Sequence, residues 1–149
     1  MPVPMSTNPL AEPLIRIGEK AIARENNAAL DAYFSPDFIF HGPGGDLTYP
    51  ELKAYFASLR AALSGMKVER AAIIAEGNYL AARTVFSGKF DFVFTAAPGG
   101  PLKPNGREIR WEVMNHFRFE DNGRLAEEWV QYDVRALNEQ FGAPASRMV

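Results

Sequence analysis

An Asn-Gly pair at positions 122 and 123 sits between two stretches of alternating apolar and polar residues, and it constrains the fold more than any other feature of the chain. Both residues tolerate positive φ, as a two-residue type I′ hairpin turn requires. The spacing therefore predicts antiparallel strands over 107–119 and 124–133. Counted outward from such a turn, Arg118 faces Glu127, His116 faces Trp129, Met114 faces Gln131 and Glu112 faces Asp133. Opposed residues share a face of the sheet. One face then carries those eight side chains. The other carries Val113, Asn115, Phe117, Phe119, Leu125, Glu128, Val130 and Tyr132, and reads as the packing face. A three-residue loop would slide the register by one and scramble both sets.

Upstream, the period is helical. Leu14, Ile17, Ala21 and Ile22 predict an amphipathic helix over roughly 10–25, which resumes briefly over 28–33. Ser35-Pro36-Asp37 reads as a turn, 38–41 as a short strand, and Gly42-Pro43-Gly44-Gly45 as a loop. Thr48 is a candidate cap for a helix whose buried stripe is Leu52, Tyr55, Phe56, Leu59 and Leu63, with Gly65 as its stop. From Met66 the period becomes two, giving strands over 66–76 and 79–94. Leu80, Ala82, Thr84, Phe86 and Phe90 share a face of the second, and Gly88 inside it marks a bend or bulge. A Pro/Gly-rich loop follows over 96–106, and 134–141 forms a short terminal helix. Helices first and a meander afterwards make an α+β domain, with N-terminal helices packed against a strongly curved, mainly antiparallel sheet that encloses a pocket. The 149 residues are expected to form a single domain, with 1–9 and 143–149 as loose tails.

Composition narrows the function classes. There is no cysteine, so thiolate chemistry, disulfides and cysteine-held metals are out, and the two histidines lack the spacing of a zinc site. The formal net charge is −2 and the sixteen basic residues are scattered, which argues against nucleic acid as a partner. No apolar run is long enough for a membrane span, and the N-terminus lacks a leader pattern, so a cytoplasmic protein is expected. Eleven Phe, five Tyr and two Trp either fill a core or line a cavity.

The face with Trp129, Met114 and His116 mixes apolar surface with hydrogen-bonding groups. That is the pattern of a cavity wall and equally of a partly solvated sheet face. The bland reading of Arg118 and Glu127 is a cross-strand ion pair, worth little if exposed. His41, at a strand end beside a glycine loop, is a candidate for a pocket mouth. Asp133 is the candidate working carboxylate. Its position immediately before Val134-Arg135-Ala136 also suits the N-cap of the terminal helix, and spacing alone favours the cap.

The segment Glu128-Trp129-Val130-Gln131-Tyr132-Asp133, followed by Leu137, Gln140, Phe141 and Gly142, resembles the C-terminal signature of SnoaL-like polyketide cyclases. These belong to a wider superfamily of cone folds, ketosteroid-isomerase-like and nuclear-transport-factor-like. Arg118 to Trp129 fits the preceding hairpin of that signature, with Asn122 as an extra turn residue. Ser35-Pro36-Asp37-Phe38 with Phe40-His41 resembles an earlier element, as does Glu76-Gly77-Asn78 with Ala81-Ala82-Arg83. Gly88-Lys89-Phe90 lacks the histidine that the family often has there. The resemblance implies a cone-shaped pocket for a hydrophobic small molecule, a homodimer, and cofactor- and metal-independent intramolecular aldol ring closure. It implies Asp133 as general acid/base and His116 as a second catalytic group. It also implies His41, Trp129, Gln131, Met114, Arg118 and Glu112 as substrate-binding residues. Two other functions fit the same fold: a non-catalytic binder of a ring-shaped hydrophobic ligand, and an isomerase or epoxide-hydrolase-like enzyme.

Overall fold

Two side-chain caps start the helices that frame the pocket. Asn26 Oδ1 accepts the Ala29 N–H at 3.1 Å and opens α2 (Asn27–Tyr33). Thr48 opens α3 (Tyr49–Ala62) through a capping box in which Thr48 and Glu51 each accept the other's backbone N–H. Ahead of them, α1 (Ala11–Ile17) runs into one π-helical turn, Gly18–Ile22. These boundaries come from a computed structural model, which describes residues 7–144; the ends of the expected tails, 1–6 and 145–149, lie outside the described residues. Within the described part, Asn8 is tied down rather than loose. Its side chain donates to the Gly77 carbonyl at 3.2 Å and accepts the Leu10 N–H at 2.9 Å. Ala143 is buried and its N–H reaches the Asn138 carbonyl, so the C-terminal tail does not start there.

Six strands form one curled mixed sheet in the order β2-β1-β6-β5-β4-β3, namely β1 (Phe34–Gly42), β2 (Gly45–Thr48), β3 (Leu63–Glu76), β4 (Tyr79–Phe90), β5 (Glu108–Phe119) and β6 (Leu125–Gln131). The last four make the expected antiparallel meander. β1 joins β6 in parallel, and β2 adds a hairpin to the edge. The helix α4 (Val134–Gln140) closes the chain. The fold class is as expected: α+β, with the helices on the concave side of the sheet.

Four local expectations need correction. Ser35-Pro36-Asp37 belongs to β1 as an irregular stretch between the Phe34 and Ile39 pairings. Within the Gly42–Gly45 stretch, Gly42 and Gly45 pair, so it is a tight turn between strands. β4 ends at Phe90, and Phe94 instead bridges Leu102 across the long loop. Gly88 pairs regularly with Ile109; the bulges lie on the neighbouring β3, between Ser64 and Lys67 and between Arg70 and Ala72. What Gly88 provides is room, because a Cβ there would stand 2.8 Å from Leu63 Cβ.

The hairpin turn differs from a type I′ turn, yet its register survives. Only Gly123 has positive φ (86°), Gly123 N–H donates to the Glu120 carbonyl, and Glu120 N–H to that of Arg124. This is a three-residue loop, and Phe119 accordingly pairs with Leu125. A shift between Phe119 and Arg118, which leaves Ala126 as the extra residue, restores the count. Arg118 faces Glu127, His116 faces Trp129 and Met114 faces Gln131, as expected. Glu112 and Asp133 do not pair, since β6 ends at Gln131.

Candidate functional site

Alternation decides what the pocket sees. On β4, Leu80, Ala82, Thr84 and Phe86 turn inward; on β5 and β6, so do Val113, Asn115, Phe117, Glu128 and Val130. Helices α1 and α3 cover this face with Leu14, Ile17, Leu52, Phe56 and Leu59. Between the two layers lies a cavity of about 270 Å³, at the small end of ligand pockets. Most of its wall is aliphatic and aromatic, including Phe86 stacked on Trp111 at 5.0 Å. Its exposed lining residues are Pro43, Gly44 and Gly45 at the β1–β2 turn and Pro98 of the β4–β5 loop, which puts the mouth there.

A line of polar side chains crosses four strands on this otherwise apolar face. Arg70 on β3 lies directly opposite Thr84 on β4, and its Nη1 donates to Thr84 Oγ1 at 2.9 Å. Thr84 donates to Asn115 Oδ1 at 2.6 Å, and Asn115 Nδ2 donates to Glu128 Oε2 at 2.8 Å. Arg70 Nε also donates to the Leu14 carbonyl at 3.3 Å, and its guanidinium lies 5.4 Å from the Phe117 ring centre. The bulge after Arg70 ends the inward series Met66, Val68, Arg70 on β3. Among the described residues no hydrogen bond or ion pair joins Arg70 to Glu128 directly; Thr84 and Asn115 bridge them.

Burial dominates the electrostatics. Desolvation pushes the Glu128 carboxyl up to about 7, against the smaller opposing pull of Arg70 and of the Asn115 hydrogen bond. Desolvation likewise weakens the hold of Arg70 on its proton and raises the Tyr33 and Tyr55 hydroxyls. The Tyr33 hydroxyl, in the cavity wall, is buried with no hydrogen-bond partner among the described residues.

The sequence-predicted site residues lie on the other side of the sheet, and none of them lines the cavity. Asp133 is exposed and caps α4, its Oδ1 accepting the Ala136 N–H at 3.0 Å. Of the two readings that spacing left open, the geometry matches the cap. His116 is exposed, its ring 5.1 Å from Trp129 and 5.6 Å from Tyr79. His41 stacks on Trp129 at 5.4 Å and is gripped by two carboxylates, Glu127 at 2.7 Å and Asp46 at 2.8 Å. Those hydrogen bonds, Glu127's first, raise the His41 pKa. Arg118 Nε donates to Glu127 Oε1, and Glu112 pairs with Arg83. Met114 and Gln131 face solvent. The outer face thus gathers His41, His116, Trp129 and Arg118 into a ring-and-charge cluster outside the cavity lining, with His41 two residues from Pro43 at the mouth, while Glu112, Gln131 and Asp133 stand apart from it. The helices cover the apolar face, so the enclosed space lies against that face and not against the one with Trp129, Met114 and His116. Among the described residues, no group of three or more His, Asp or Glu is placed to hold a metal ion.

A cap and a catalyst predict different mutants. Asp133→Ala should cost about 1 kcal/mol in urea unfolding, the usual value of a lost N-cap, and should leave the cavity unchanged. A large loss of turnover with stability intact would restore Asp133 as the working group.

The family model of the SnoaL-like domain matches residues 18–128. No curated protein matches the sequence. Solved structures share the fold across nearly the whole chain. A protein named as a SnoaL-like polyketide cyclase from Jannaschia sp. CCS1 has 17% identity and a TM-score of 0.75, covering 91% of this chain and 92% of its own. IdmH of Streptomyces antibioticus, also named as a polyketide cyclase, has 20% identity and a TM-score of 0.74, covering 91% and 99%. A protein of ketosteroid isomerase-like fold from Catenulispora acidiphila, solved with trimethylamine, has 15% identity and a TM-score of 0.67, covering 95% and 98%. With the family match spanning most of the chain and the curled sheet shared by these structures, the protein belongs to the SnoaL-like domain family on a ketosteroid-isomerase-like fold.

Proposed function

We propose that the cavity binds a small ring-bearing molecule and that Glu128 moves a proton at a carbon next to one of its carbonyl groups. The observation that carries this reading is a single carboxyl, buried in an apolar cavity, with its pKa raised to about 7. A carboxyl of that strength is half ionised near neutrality, where an acid/base catalyst works best. As carboxylate it takes the proton and leaves an enolate. Arg70, on the same wall, supplies positive charge to the developing oxyanion. Attack of that enolate on a second carbonyl of the same molecule closes a ring by aldol addition, and the neutral Glu128 then returns a proton. The polyketide cyclase names of the Jannaschia and Streptomyces structures support this choice over isomerisation. Asp133, exposed and committed to the Ala136 amide, is not the proposed base.

Deuterium exchange at the α-carbon of 2-tetralone, followed by NMR, tests the reading without knowledge of the natural substrate. The wild-type protein should accelerate exchange along a pH profile with an inflection near 7, and Glu128→Gln should lower the rate a hundredfold or more, about 2.7 kcal/mol. Equal exchange by the two proteins would remove Glu128 as the base. No exchange by either would leave a binding protein.

The partner proposed for the outer sheet face is a second copy of this chain. Ile74, Tyr79, Met114 and Trp129 leave apolar and aromatic surface exposed there, interleaved with the Arg83–Glu112 and Arg118–Glu127 pairs, which offer both signs of charge to a two-fold mate. Sedimentation should show a dimer that Met114→Lys dissociates; a monomer at every concentration would end the proposal. No helix among the described residues is long and apolar enough to cross a membrane.

A further inference from the structure

Arg70 is the strongest unanswered group in the cavity. It is buried in β3 and faces a wall that is mostly hydrocarbon. Two of its five N–H donors are used, Nε on the Leu14 carbonyl and Nη1 on Thr84, and both acceptors are uncharged. No carboxylate lies within ion-pair distance of it among the described residues. A buried guanidinium held only by neutral acceptors is costly, and a negative partner offsets much of that cost. The Tyr33 hydroxyl, in the same wall and within electrostatic reach of Arg70, is a second donor without an acceptor. Both groups offer a free donor at the same wall, and Glu128 reaches Arg70 only through Thr84 and Asn115, so an anionic acceptor from the ligand fits them.

We infer that the ligand of this cavity is a monocarboxylate with an apolar, ring-sized body, its carboxylate seated on the free edge of Arg70 beside the Tyr33 hydroxyl. The body fits the remaining wall, where Phe86, Trp111 and Val113 offer only hydrocarbon. Glu128 is the other ionisable group, apart from tyrosines, that lines the cavity. Tyr33 from α2, Tyr55 from α3 and Tyr132 after β6 are held above the ordinary phenol range by burial, so they stay neutral and donate. A bound carboxylate therefore neutralises Arg70, and its charge disfavours ionisation of Glu128. Binding near pH 8, where Glu128 is mostly ionised, then draws a proton onto it. A carboxylate on the free edge of Arg70 leaves less of its charge for the oxyanion of the proposed reaction and holds Glu128 in its acid form, so the two readings share these residues. The anion preference itself does not require catalysis, and only the proton count rests on Glu128 titrating near neutrality.

Calorimetry with 1-naphthoate and its neutral analogue 1-naphthamide tests the inference on the whole chain. Near pH 6 the wild-type protein should bind naphthoate at least on the order of tenfold more tightly, and Arg70→Met should abolish that preference. Near pH 8, titrations in two buffers of different ionisation enthalpy should show uptake of most of one proton with naphthoate. Glu128→Gln should remove the uptake and keep the binding. If Arg70→Met fails to fold, the wild-type preference and the proton count still decide. Equal or tighter binding of naphthamide overturns the inference, and so does failure of naphthoate to bind at millimolar concentration. Loss of the anion preference with exchange still dependent on Glu128 sinks this inference alone. Anion preference with exchange indifferent to Glu128 sinks the catalytic reading alone.

Discussion

Glu128→Gln should make the protein more stable than wild type in alkali and nearly equal to it in acid. The carboxyl is fully buried, and burial lifts it from its ordinary 4.5 to about 7 in the folded state. A group whose folded pKa is raised contributes stability that is complete below its unfolded pKa and is lost as pH climbs through the folded one. The window therefore runs from about 4.5 to somewhat above 7. Over it the wild-type protein loses up to roughly 3 kcal/mol from this one group, at about 1.4 kcal/mol per unit of difference. Glutamine keeps the shape of the neutral acid and an oxygen for Asn115 Nδ2, but cannot ionise. For a chain of this length the gap corresponds to roughly 6–12 °C in Tm. His41 also titrates with a raised pKa and also costs stability as pH rises. It does so in both proteins and drops out of the difference. Urea unfolding of the pair across pH 5–9 gives the result directly. Curves that stay parallel would mean that Glu128 ionises freely, and the proposed base would lose its physical footing.

The architecture was legible because it is written in periods and caps. Thr48 announced α3, the two-residue alternation announced β3 to β6, and the Asn-Gly pair announced the last hairpin. The register of that hairpin came out right by compensation. The loop is one residue longer than a type I′ turn, and the bulge at Ala126 takes the extra residue up, because otherwise the β6 residues beyond it would change faces. What sequence could not show is the parallel junction of β1 with β6, which depends on contacts distant in the chain, or β2, whose four residues carry no clear alternation.

The sequence-predicted residues lie outside the cavity lining for a different reason. A face rich in Trp, Met and His looked like a cavity wall, and a nearly apolar face looked like packing. In a cone that holds a hydrophobic ligand the two coincide, because the ligand is part of the packing. The usable signal was the polar exception on the apolar face. Thr84 stands among Leu80, Ala82 and Phe86; Asn115 between Val113 and Phe117; Glu128 between Ala126 and Val130; Arg70 after Met66 and Val68. Each is alone in its strand, and each is affordable when buried only because the others satisfy it. Four such exceptions on four neighbouring strands identify a constructed polar line, which no single strand reveals.

That mutual dependence sets the size of the last prediction. Thr84 is fully buried, accepts from Arg70 and donates to Asn115. Thr84→Val keeps its shape and removes the hydroxyl, so one buried charged donor and one buried carbonyl oxygen lose their partner together. The expected cost is roughly 3–5 kcal/mol, since each orphaned group carries its own desolvation penalty and the charged one the larger. Thr84→Ser keeps the hydroxyl and deletes one methyl, for about 1 kcal/mol. Urea unfolding should separate the two variants by at least 2 kcal/mol; equal losses would show that the hydroxyl holds nothing. A second readout is specific to the site. Thr84 donating to Asn115 Oδ1 is what turns Asn115 Nδ2 towards Glu128, and that donation favours the carboxylate. Without the hydroxyl the amide is free to turn its oxygen to Glu128, which favours the protonated acid. The inflection of the exchange profile should therefore move above that of wild type in Thr84→Val and stay in place in Thr84→Ser, tying the pKa of the proposed base to a residue two hydrogen bonds away.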